Sequence, residues 1–229
     1  MAVILNIETH SDVCSAALTA EGMVLCHYED FQGRNHAAVL SGFVKSCLDH
    51  LRDHEMKLDA VAVSMGPGSY TGLRIGLSEA KGLAYAFDVP LIGVSTLQLI
   101  AVKAMFSGHV DGDCLLAPMI DARRMEVYTA VYDFALNEHM KPQAHILTEE
   151  SYSSILANNK VAFFGDGSEK SKEVIKSPNA LFIADIQPVA ADMIALAERS
   201  FARREFIDLA YSTPEYLKDY RALKPKRPF

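Results

Sequence analysis

A glycine-rich segment between a predicted strand and a predicted helix constrains the fold of this chain more than any other feature. The segment covers residues 65–76; it follows the alternating apolar run 61–63 and precedes a helical pattern that reaches about Phe87. A glycine-rich turn at this place brings backbone N–H groups to the positive end of the helix dipole, where an anion is favoured. The segment lacks the Lys-Ser or Lys-Thr pair that closes a Walker-type phosphate loop. It therefore predicts either a tight strand–helix joint or a phosphate site.

Four residues of this segment are candidates for binding an anion: Gly66, Gly68, Ser69 and Thr71. Ser69 and Thr71 are also suited to capping the start of the helix, because a side-chain oxygen there accepts a hydrogen bond from a free backbone N–H group. Spacing alone leaves the structural role and the phosphate-binding role open.

The charge of the chain argues against several classes of function. Its formal net charge is −7, so most of its surface repels a phosphate backbone, and unaided nucleic-acid binding is not expected. The four cysteines lack Cys-x-x-Cys spacing, which argues against a disulfide framework and a zinc knuckle. No signal peptide precedes Val3 and no apolar run approaches membrane-spanning length, so we expect a cytoplasmic protein without a membrane partner. A basic cluster near the C-terminus is interpreted as a solvated terminus; its members are Lys218, Arg221, Lys224, Lys226 and Arg227.

The order of predicted elements indicates an α/β fold. The first part of the chain reads as β-β-β-α-β-α-β-α, the pattern of an RNase-H-like domain with a mixed sheet flanked by helices. From residue 111 a second, shorter α/β unit begins with a predicted hairpin. A short helix opened by Thr148, a strand at 161–164 and a helix at 188–204 follow. A chain of 229 residues has room for two such units, and we predict domains at 1–108 and 109–229.

Two predicted helices each carry a face of apolar or small residues. On the first helix this face has the i, i+3, i+4 spacing of an amphipathic helix, formed by Leu40, Phe43, Val44, Cys47, Leu48 and Leu51. On the second helix a ridge of small residues recurs every four positions, formed by Gly72, Gly76, Ala80 and Ala84. The faces predict either packing on the chain's own sheet or half of a helical bundle between two subunits. Periodicity does not separate these alternatives.

Residues of the types used in catalysis do not form a convincing site. His50 and His54 stand at i, i+4, but at the polar end of a helix, where a solvated helix end is the favoured interpretation. Residues 10–12 (His-Ser-Asp) contain the types of a catalytic triad, yet contiguous residues do not usually converge as a triad must. Arg123 and Glu126, beside a predicted strand turn, are interpreted as a structural salt bridge. Neither a catalytic nor a metal site is predicted.

Several motifs taken together resemble one family. They are residues 4–9 (ILNIET), the glycine-rich loop with residues 80–84 (AKGLA), and residues 90–97 (PLIGVSTL), 120–128 (IDARRMEVY) and 214–218 (PEYLK). These motifs span nearly the whole chain and are similar to those of the TsaB (YeaZ) family. The resemblance implies a member of the actin-like ATPase superfamily with two RNase-H-like lobes, the second of them shortened.

That resemblance also implies a function. Members of the family act in the synthesis of threonylcarbamoyladenosine beside the anticodon of tRNA, as non-catalytic partners of a paralogue, TsaD, which transfers the threonylcarbamoyl group. A small ATPase, TsaE, joins the assembly. We therefore expect a scaffold subunit that is a homodimer when alone and meets tRNA only through the complex. The helices expected to bind both a second copy and the TsaD-type paralogue carry Leu40, Phe43, Val44, Cys47, Gly72, Gly76, Ala80 and Ala84.

The resemblance distinguishes this chain from a metalloenzyme. The catalytic paralogue carries a His-x-x-x-His pair just after a turn equivalent to Gly93-Val94. In this chain the two places hold Thr96 and Ile100. Because Ile100 has no donor atom and Thr96 is a poor lone ligand, the paralogue's metal site is absent, and the glycoprotease-like activity once attached to relatives is not expected.

The resemblance leaves a weak nucleotide site open. An actin-like ATPase places an acidic residue at the end of its first strand and a hydroxyl residue in the hairpin that follows, where this chain has Glu8 and Thr9. Together with Gly66, Gly68, Ser69 and Thr71 they form the candidate site, and residues 165–168 (GDGS) are the candidate second loop. We expect no required cofactor and, at most, weak ATP or ADP binding with Mg²⁺ at or near the partner interface. The rival hypothesis is an ATP-dependent small-molecule kinase of the same superfamily.

Overall fold

The first lobe is built on a five-stranded mixed sheet. In the computed structural model, which describes residues 2–33 and 35–218, the sheet has the strand order β3-β2-β1-β4-β5. Strands β1, β2 and β3 pair antiparallel, whereas β4 and β5 extend the sheet in parallel with β1. The elements are β1 (Val3–Glu8), β2 (Cys14–Ala20), β3 (Met23–Asp30), α1 (His36–Asp53), β4 (Ala60–Gly66), α2 (Tyr70–Phe87), β5 (Leu91–Ser95) and α3 (Thr96–Phe106). The predicted β-β-β-α-β-α-β-α order is confirmed.

The second lobe repeats this topology with much shorter helices. Its sheet has the order β8-β7-β6-β9-β10, again with two antiparallel pairings followed by two parallel ones. The elements are β6 (Leu115–Asp121), β7 (Glu126–Tyr132), β8 (Glu138–Ile146), α4 (Ser153–Leu156), β9 (Val161–Phe164), α5 (Ser168–Ser171), β10 (Ala180–Phe182) and α6 (Ile194–Arg203). Helices α4 and α5 have four residues each, where α1 and α2 have 18. The predicted fold, two RNase-H-like lobes of which the second is shortened, is confirmed.

Two predicted helix starts in the second lobe are wrong. The helix expected to open at Thr148 begins only at Ser153, because Tyr152 before it takes a left-handed conformation (φ 61°). The helix expected over 188–204 begins as a 3₁₀ turn at Ala190–Met193 and becomes α-helical at Ile194. Strands β8 and β10 were not predicted.

Two helices hold the lobes together. Residues Leu97, Ile100, Ala101 and Ala104 of α3 lie in one apolar cluster with residues of the second sheet, among them Leu116 and Tyr132. Helix α6, although it follows the second sheet in sequence, packs on the first: Leu196 and Ala197 share a cluster with Ile4 and Ile92. The proposed division at 108/109 separates the two sheets but not these helices, and it stays a prediction.

A C-terminal strap, residues 205–218, crosses the first lobe towards the second. The Ile207 N–H donates to the Leu91 carbonyl (2.9 Å), and the Glu215 N–H donates to the Met65 carbonyl (2.6 Å). The Lys81 ammonium of α2 donates to the carbonyls of Ala210 and Ser212. Of the predicted basic cluster only Lys218 belongs to the described part; Arg221, Lys224, Lys226 and Arg227 lie outside it. None of the described helices is long and apolar enough to cross a membrane.

Candidate functional site

The glycine-rich segment forms the turn between β4 and α2. Ser69 is the N-cap of α2, and its hydroxyl oxygen accepts a hydrogen bond from the Gly72 N–H (3.2 Å), as predicted. Thr71 lies one residue inside the helix with its side chain exposed, so the second predicted cap is not formed. Ser95 is the N-cap residue of α3, but its side chain makes no capping hydrogen bond. The Thr96 hydroxyl instead accepts from the Gly66 N–H (3.2 Å) and ties α3 to the turn.

The turn between β1 and β2 lies directly on the start of α2. The Ser69 N–H donates to the His10 carbonyl (2.6 Å). A β-carbon at Gly72 would fall well inside van der Waals contact with the Thr9 carbonyl oxygen, and one at Gly76 would do the same to the Thr9 hydroxyl. Glycine at these positions therefore lets two chain segments touch at backbone distance. Two backbone donors of the turn, Ser69 N–H and Gly72 N–H, are already used within the chain and are not free for an anion.

A buried polar cluster forms behind this turn. Glu8 has no exposed surface, and its Oε1 accepts from the His10 N–H (2.6 Å), His10 Nδ1 (2.8 Å) and the Ser64 hydroxyl (3.0 Å). Burial on its own lowers the pKa of His10, but the neighbouring charge and hydrogen bond of Glu8, and the charge of Asp166, outweigh it and raise that pKa above 6.5. The raised pKa favours the protonated form of His10, whose Nδ1 lies 2.8 Å from Glu8 Oε1.

Two oxygens of this cluster have no partner within the described chain. They are Glu8 Oε2 and Thr9 Oγ1, both buried. Unsatisfied buried oxygens are uncommon and mark either strain or a missing ligand or water. Sequence reasoning singled out Glu8 and Thr9 but missed His10 and Ser64 as their partners; Ser64 is 56 residues away from Glu8, and no local pattern joins them.

The second lobe contributes Asp166 to the same region. Asp166 belongs to the predicted second glycine-rich loop and is close enough to act on the charge of His10. Its Oδ1 accepts from the Asp121 N–H (2.9 Å), which fixes it beside the β6–β7 turn. The structure thus brings Glu8, Thr9, Gly68 and Asp166 to the junction of the lobes, with Gly68 against His10. Within residues 2–33 and 35–218 no group of three or more His, Cys, Asp and Glu is arranged to hold a metal. The nucleotide site stays a prediction.

The residues predicted to form the partner surface face the interior. Gly72, Gly76, Ala80 and Ala84 are buried on α2, and Leu40, Val44 and Cys47 are buried on α1. Phe43 is half-buried and stacks on Tyr28 with ring centroids 6.1 Å apart. These side chains cover the chain's own sheet, so the assignment of this face to a partner is corrected: a partner on α1 and α2 has to contact their other face.

An open groove lies between α1 and α2, beside the buried face, and Leu40 lies at its floor. The groove has a volume of about 500 Å³ and is lined by His36, Ala37, Leu40, Ser41, Tyr70, Thr71, Arg74, Ile75, Ser78 and Glu79. The Arg74 guanidinium lies over the Tyr70 ring (4.1 Å) and donates through Nε to the Tyr216 hydroxyl of the strap (3.0 Å). The sequence gives no sign that Tyr216 lies beside the groove, because this position depends on a contact between residues 142 apart in sequence.

The remaining predicted features are the histidine pair on α1, the His-Ser-Asp segment at residues 10–12 and the Arg123–Glu126 salt bridge. The rings of His50 and His54 stack 4.1 Å apart at the end of α1. Ser11 accepts a hydrogen bond from the Val13 N–H rather than contacting the His10 ring. The predicted Arg123–Glu126 salt bridge is wrong: the Glu126 carboxylate pairs with Lys218 of the strap, and Arg123 forms no ion pair with any described residue.

Comparison with known proteins gives consistent matches over most of the chain. The family model described as "TsaD: tRNA N6-adenosine threonylcarbamoyltransferase" matches residues 29–228. A relative in Escherichia coli named "tRNA threonylcarbamoyladenosine biosynthesis protein TsaB" is 31% identical over 228 residues, which cover 96% of each chain. A Bacillus subtilis relative of the same name is 32% identical over 176 residues, covering 76% of this chain and 75% of that one.

Solved structures give the same result. The chain is similar to YeaZ from Pseudomonas aeruginosa, with a TM-score of 0.78 and 29% identity over 95% of this chain and 100% of that one. A second Pseudomonas aeruginosa structure, described as an uncharacterized protein with similarity to peptidase YeaZ, has a TM-score of 0.81 and 28% identity at the same coverage.

Proposed function

Because the chain belongs to the TsaB family and takes part in tRNA threonylcarbamoyladenosine biosynthesis, we propose that it is a non-catalytic scaffold subunit that binds and activates a TsaD-type paralogue. The paralogue performs the transfer, a TsaE-type ATPase joins the assembly, and tRNA is met only through the complex. The same surface forms a homodimer when the chain is alone, so the two associations compete. Since its tRNA substrate is used in translation, we place this work in the cytoplasm.

The observation that carries this proposal is the groove between α1 and α2. Four of its exposed lining residues have short side chains: Ala37 and Ser41 on α1, and Thr71 and Ser78 on α2. Short side chains let a partner helix approach closely. Tyr70 and Arg74 are fixed against each other and against Tyr216. Fixed tyrosine and arginine side chains are the types that contribute most of the energy at protein interfaces.

The residues at the junction of the two lobes support a non-catalytic role for this chain. His10, which lies against Gly68 of the glycine-rich turn, is hydrogen-bonded to Glu8. Thr96 and Ile100, at the paralogue's metal-ligand positions, are buried, and Thr96 is bonded to Gly66. One observation favours the rival kinase: Glu8 Oε2 is unpartnered and lies at the end of the first strand, where a kinase would hold water on Mg²⁺.

Substituting Ser78 by arginine is expected to prevent assembly. Ser78 is exposed in the groove, so Ser78→Arg leaves the core intact but places a large charge where the partner helix would lie, and we expect association to weaken at least about tenfold. The measurement is size exclusion with light scattering on this chain mixed with its own organism's TsaD-type paralogue. Ser154→Arg on α4, an exposed serine of the second lobe, is the matched control. Equal association of all three chains would contradict the proposed surface.

We propose that the isolated chain does not require a nucleotide and binds Mg-ATP weakly at most. We expect Mg-ATP at about 1 mM to raise Tm by no more than about 2 °C, since a ligand whose Kd is near that concentration stabilises the fold by only about 0.4 kcal/mol. Thermal unfolding with and without Mg-ATP measures this. A rise of more than about 5 °C that disappears in Glu8→Gln would instead support the kinase hypothesis.

A further inference from the structure

The tip of the β6–β7 hairpin presents two adjacent arginines in an uncommon backbone conformation. Arg123 and Arg124 are both exposed, and both have positive φ angles, of 67° and 50°. Two consecutive residues with side chains in the left-handed region cost backbone energy that a glycine would avoid. The proposed scaffold function depends on the groove between α1 and α2 and does not explain these two arginines.

The hairpin tip is held in one shape by contacts within the turn and by contacts from α5. Within the tip, the Ala122 N–H donates to the Glu126 carbonyl (3.0 Å) and the Arg123 N–H donates to Asp121 Oδ1 (3.0 Å). From α5, the Lys170 ammonium donates to the carbonyls of Arg124 (2.8 Å) and Glu126 (2.6 Å) and to the Asp121 carboxylate. The backbone that carries the two arginines is therefore fixed before any ligand arrives.

The charges around the tip sum to a positive excess, because the two guanidinium groups outnumber Asp166, the nearby carboxylate that forms no ion pair with a lysine or arginine of the described chain. The two carboxylates of the turn are each matched by a lysine: Asp121 by Lys170 and Glu126 by Lys218. Neither Arg123 nor Arg124 forms an ion pair with any residue of the described chain. The tip is thus locally positive on a chain whose formal net charge is −7.

The C-terminal strap connects the hairpin to the proposed partner groove. Tyr216 of the strap is bonded to Arg74, which lines the groove, and Lys218 is bonded to Glu126 in the hairpin. Two residues of chain span at most about 7 Å. The strap therefore links the groove to the hairpin, and a partner seated in the groove is what would bring a polyanion to the arginines.

From this geometry we propose that Arg123 and Arg124 contact the phosphodiester backbone of the RNA substrate in the assembled complex. The planar fork of arginine donors matches phosphate oxygens, and contacts to phosphates position a nucleic acid without reading its sequence. The net charge opposes RNA binding by the chain alone, so the contact contributes only once a partner holds the RNA nearby. This inference rests on the proposed function.

The test measures tRNA binding by the assembly of this chain with its TsaD-type paralogue, by fluorescence anisotropy across a range of salt concentrations. In Arg123→Ala/Arg124→Ala we expect about tenfold weaker binding at low salt and a salt dependence (log K against log salt) shallower by about 1 to 2. Arg123→Lys/Arg124→Lys should retain most of the salt dependence. The matched control is Arg203→Ala/Arg204→Ala, an adjacent exposed pair at the end of α6 that changes net charge equally.

The outcomes separate this inference from the proposed function. If light scattering finds no assembly with the unsubstituted chain, the proposed function fails and the inference fails with it. If the assembly forms but tRNA binding is the same with and without the two arginines, only the inference is overturned. Loss of paralogue binding in the double variant would assign the tip to a protein contact, and loss of ATP binding alone would assign it to a nucleotide; either result overturns the RNA contact.

Discussion

Replacing Gly72 by alanine is expected to lower the free energy of unfolding by about 3 kcal/mol. The new β-carbon would overlap the Thr9 carbonyl oxygen. That oxygen belongs to the backbone of the β1–β2 turn, which cannot rotate away as a side chain can. Alanine favours a helix over glycine by about 1 kcal/mol, which does not offset the overlap. Urea unfolding followed by circular dichroism measures the difference.

The same helix contains the control for this substitution. Gly82 is exposed in α2, and a β-carbon there would meet no heavy atom within 4 Å. Gly82→Ala should therefore stabilise the chain by about 0.5–1 kcal/mol through helix propensity and the less flexible unfolded chain. If the two substitutions changed stability equally, the close packing of the β1–β2 turn on α2 would be contradicted.

Replacing His10 by alanine is expected to cost about 3 kcal/mol or more. Glu8 is fully buried and would lose its cationic partner, and removing one member of a buried ion pair leaves an uncompensated charge. His27→Ala is the matched control: its ring is half exposed and 3.9 Å from Glu29, and surface pairs of this kind contribute about 0–1 kcal/mol. Similar effects of the two substitutions on urea unfolding would contradict the buried pair.

The contribution of His10 should also depend on pH in a defined direction. Burial opposes the charged form, but Glu8 and, more distantly, Asp166 raise the pKa of His10 above its ordinary 6.5. A raised pKa means that protonated His10 stabilises the folded state fully below pH 6.5. This stabilisation is lost as pH rises through the folded pKa. The stability difference between the unsubstituted chain and His10→Ala should therefore shrink from pH 6 to pH 9. A constant difference over this range would show that His10 stabilises the fold by packing rather than by charge.

The elements of the first lobe could be predicted from sequence because its strands are short, apolar and bounded by polar turns. For the same reason the strand predicted at 161–164 in the second lobe has the bounds of β9 (Val161–Phe164). Strand β8 was missed because it lies at an open edge of its sheet. None of its residues is fully buried, and without burial a strand has little need of an apolar pattern.

The candidate site could be predicted only where it depends on neighbours in sequence. The Ser69 cap depends on a hydrogen bond between Ser69 and Gly72, which are only three residues apart, and it was predicted. The spacing of Gly72, Gly76, Ala80 and Ala84 identified one helix face but not what covers it, since a sheet and a partner helix both favour small residues there. The bond between Arg74 and Tyr216 brings together positions 142 residues apart, and no local pattern encodes it.

The packing of α6 on the first sheet has a consequence for the order in which this chain folds during synthesis. An N-terminal domain usually folds while the remainder is still being translated. Here Ile4 and Ile92 are covered by Leu196 and Ala197, which the ribosome adds about a hundred residues after β5. The edge of β5 at Leu91 is paired by Ile207, still later in the chain. The nascent first lobe therefore exposes part of an apolar sheet face and an open strand edge until translation is nearly finished.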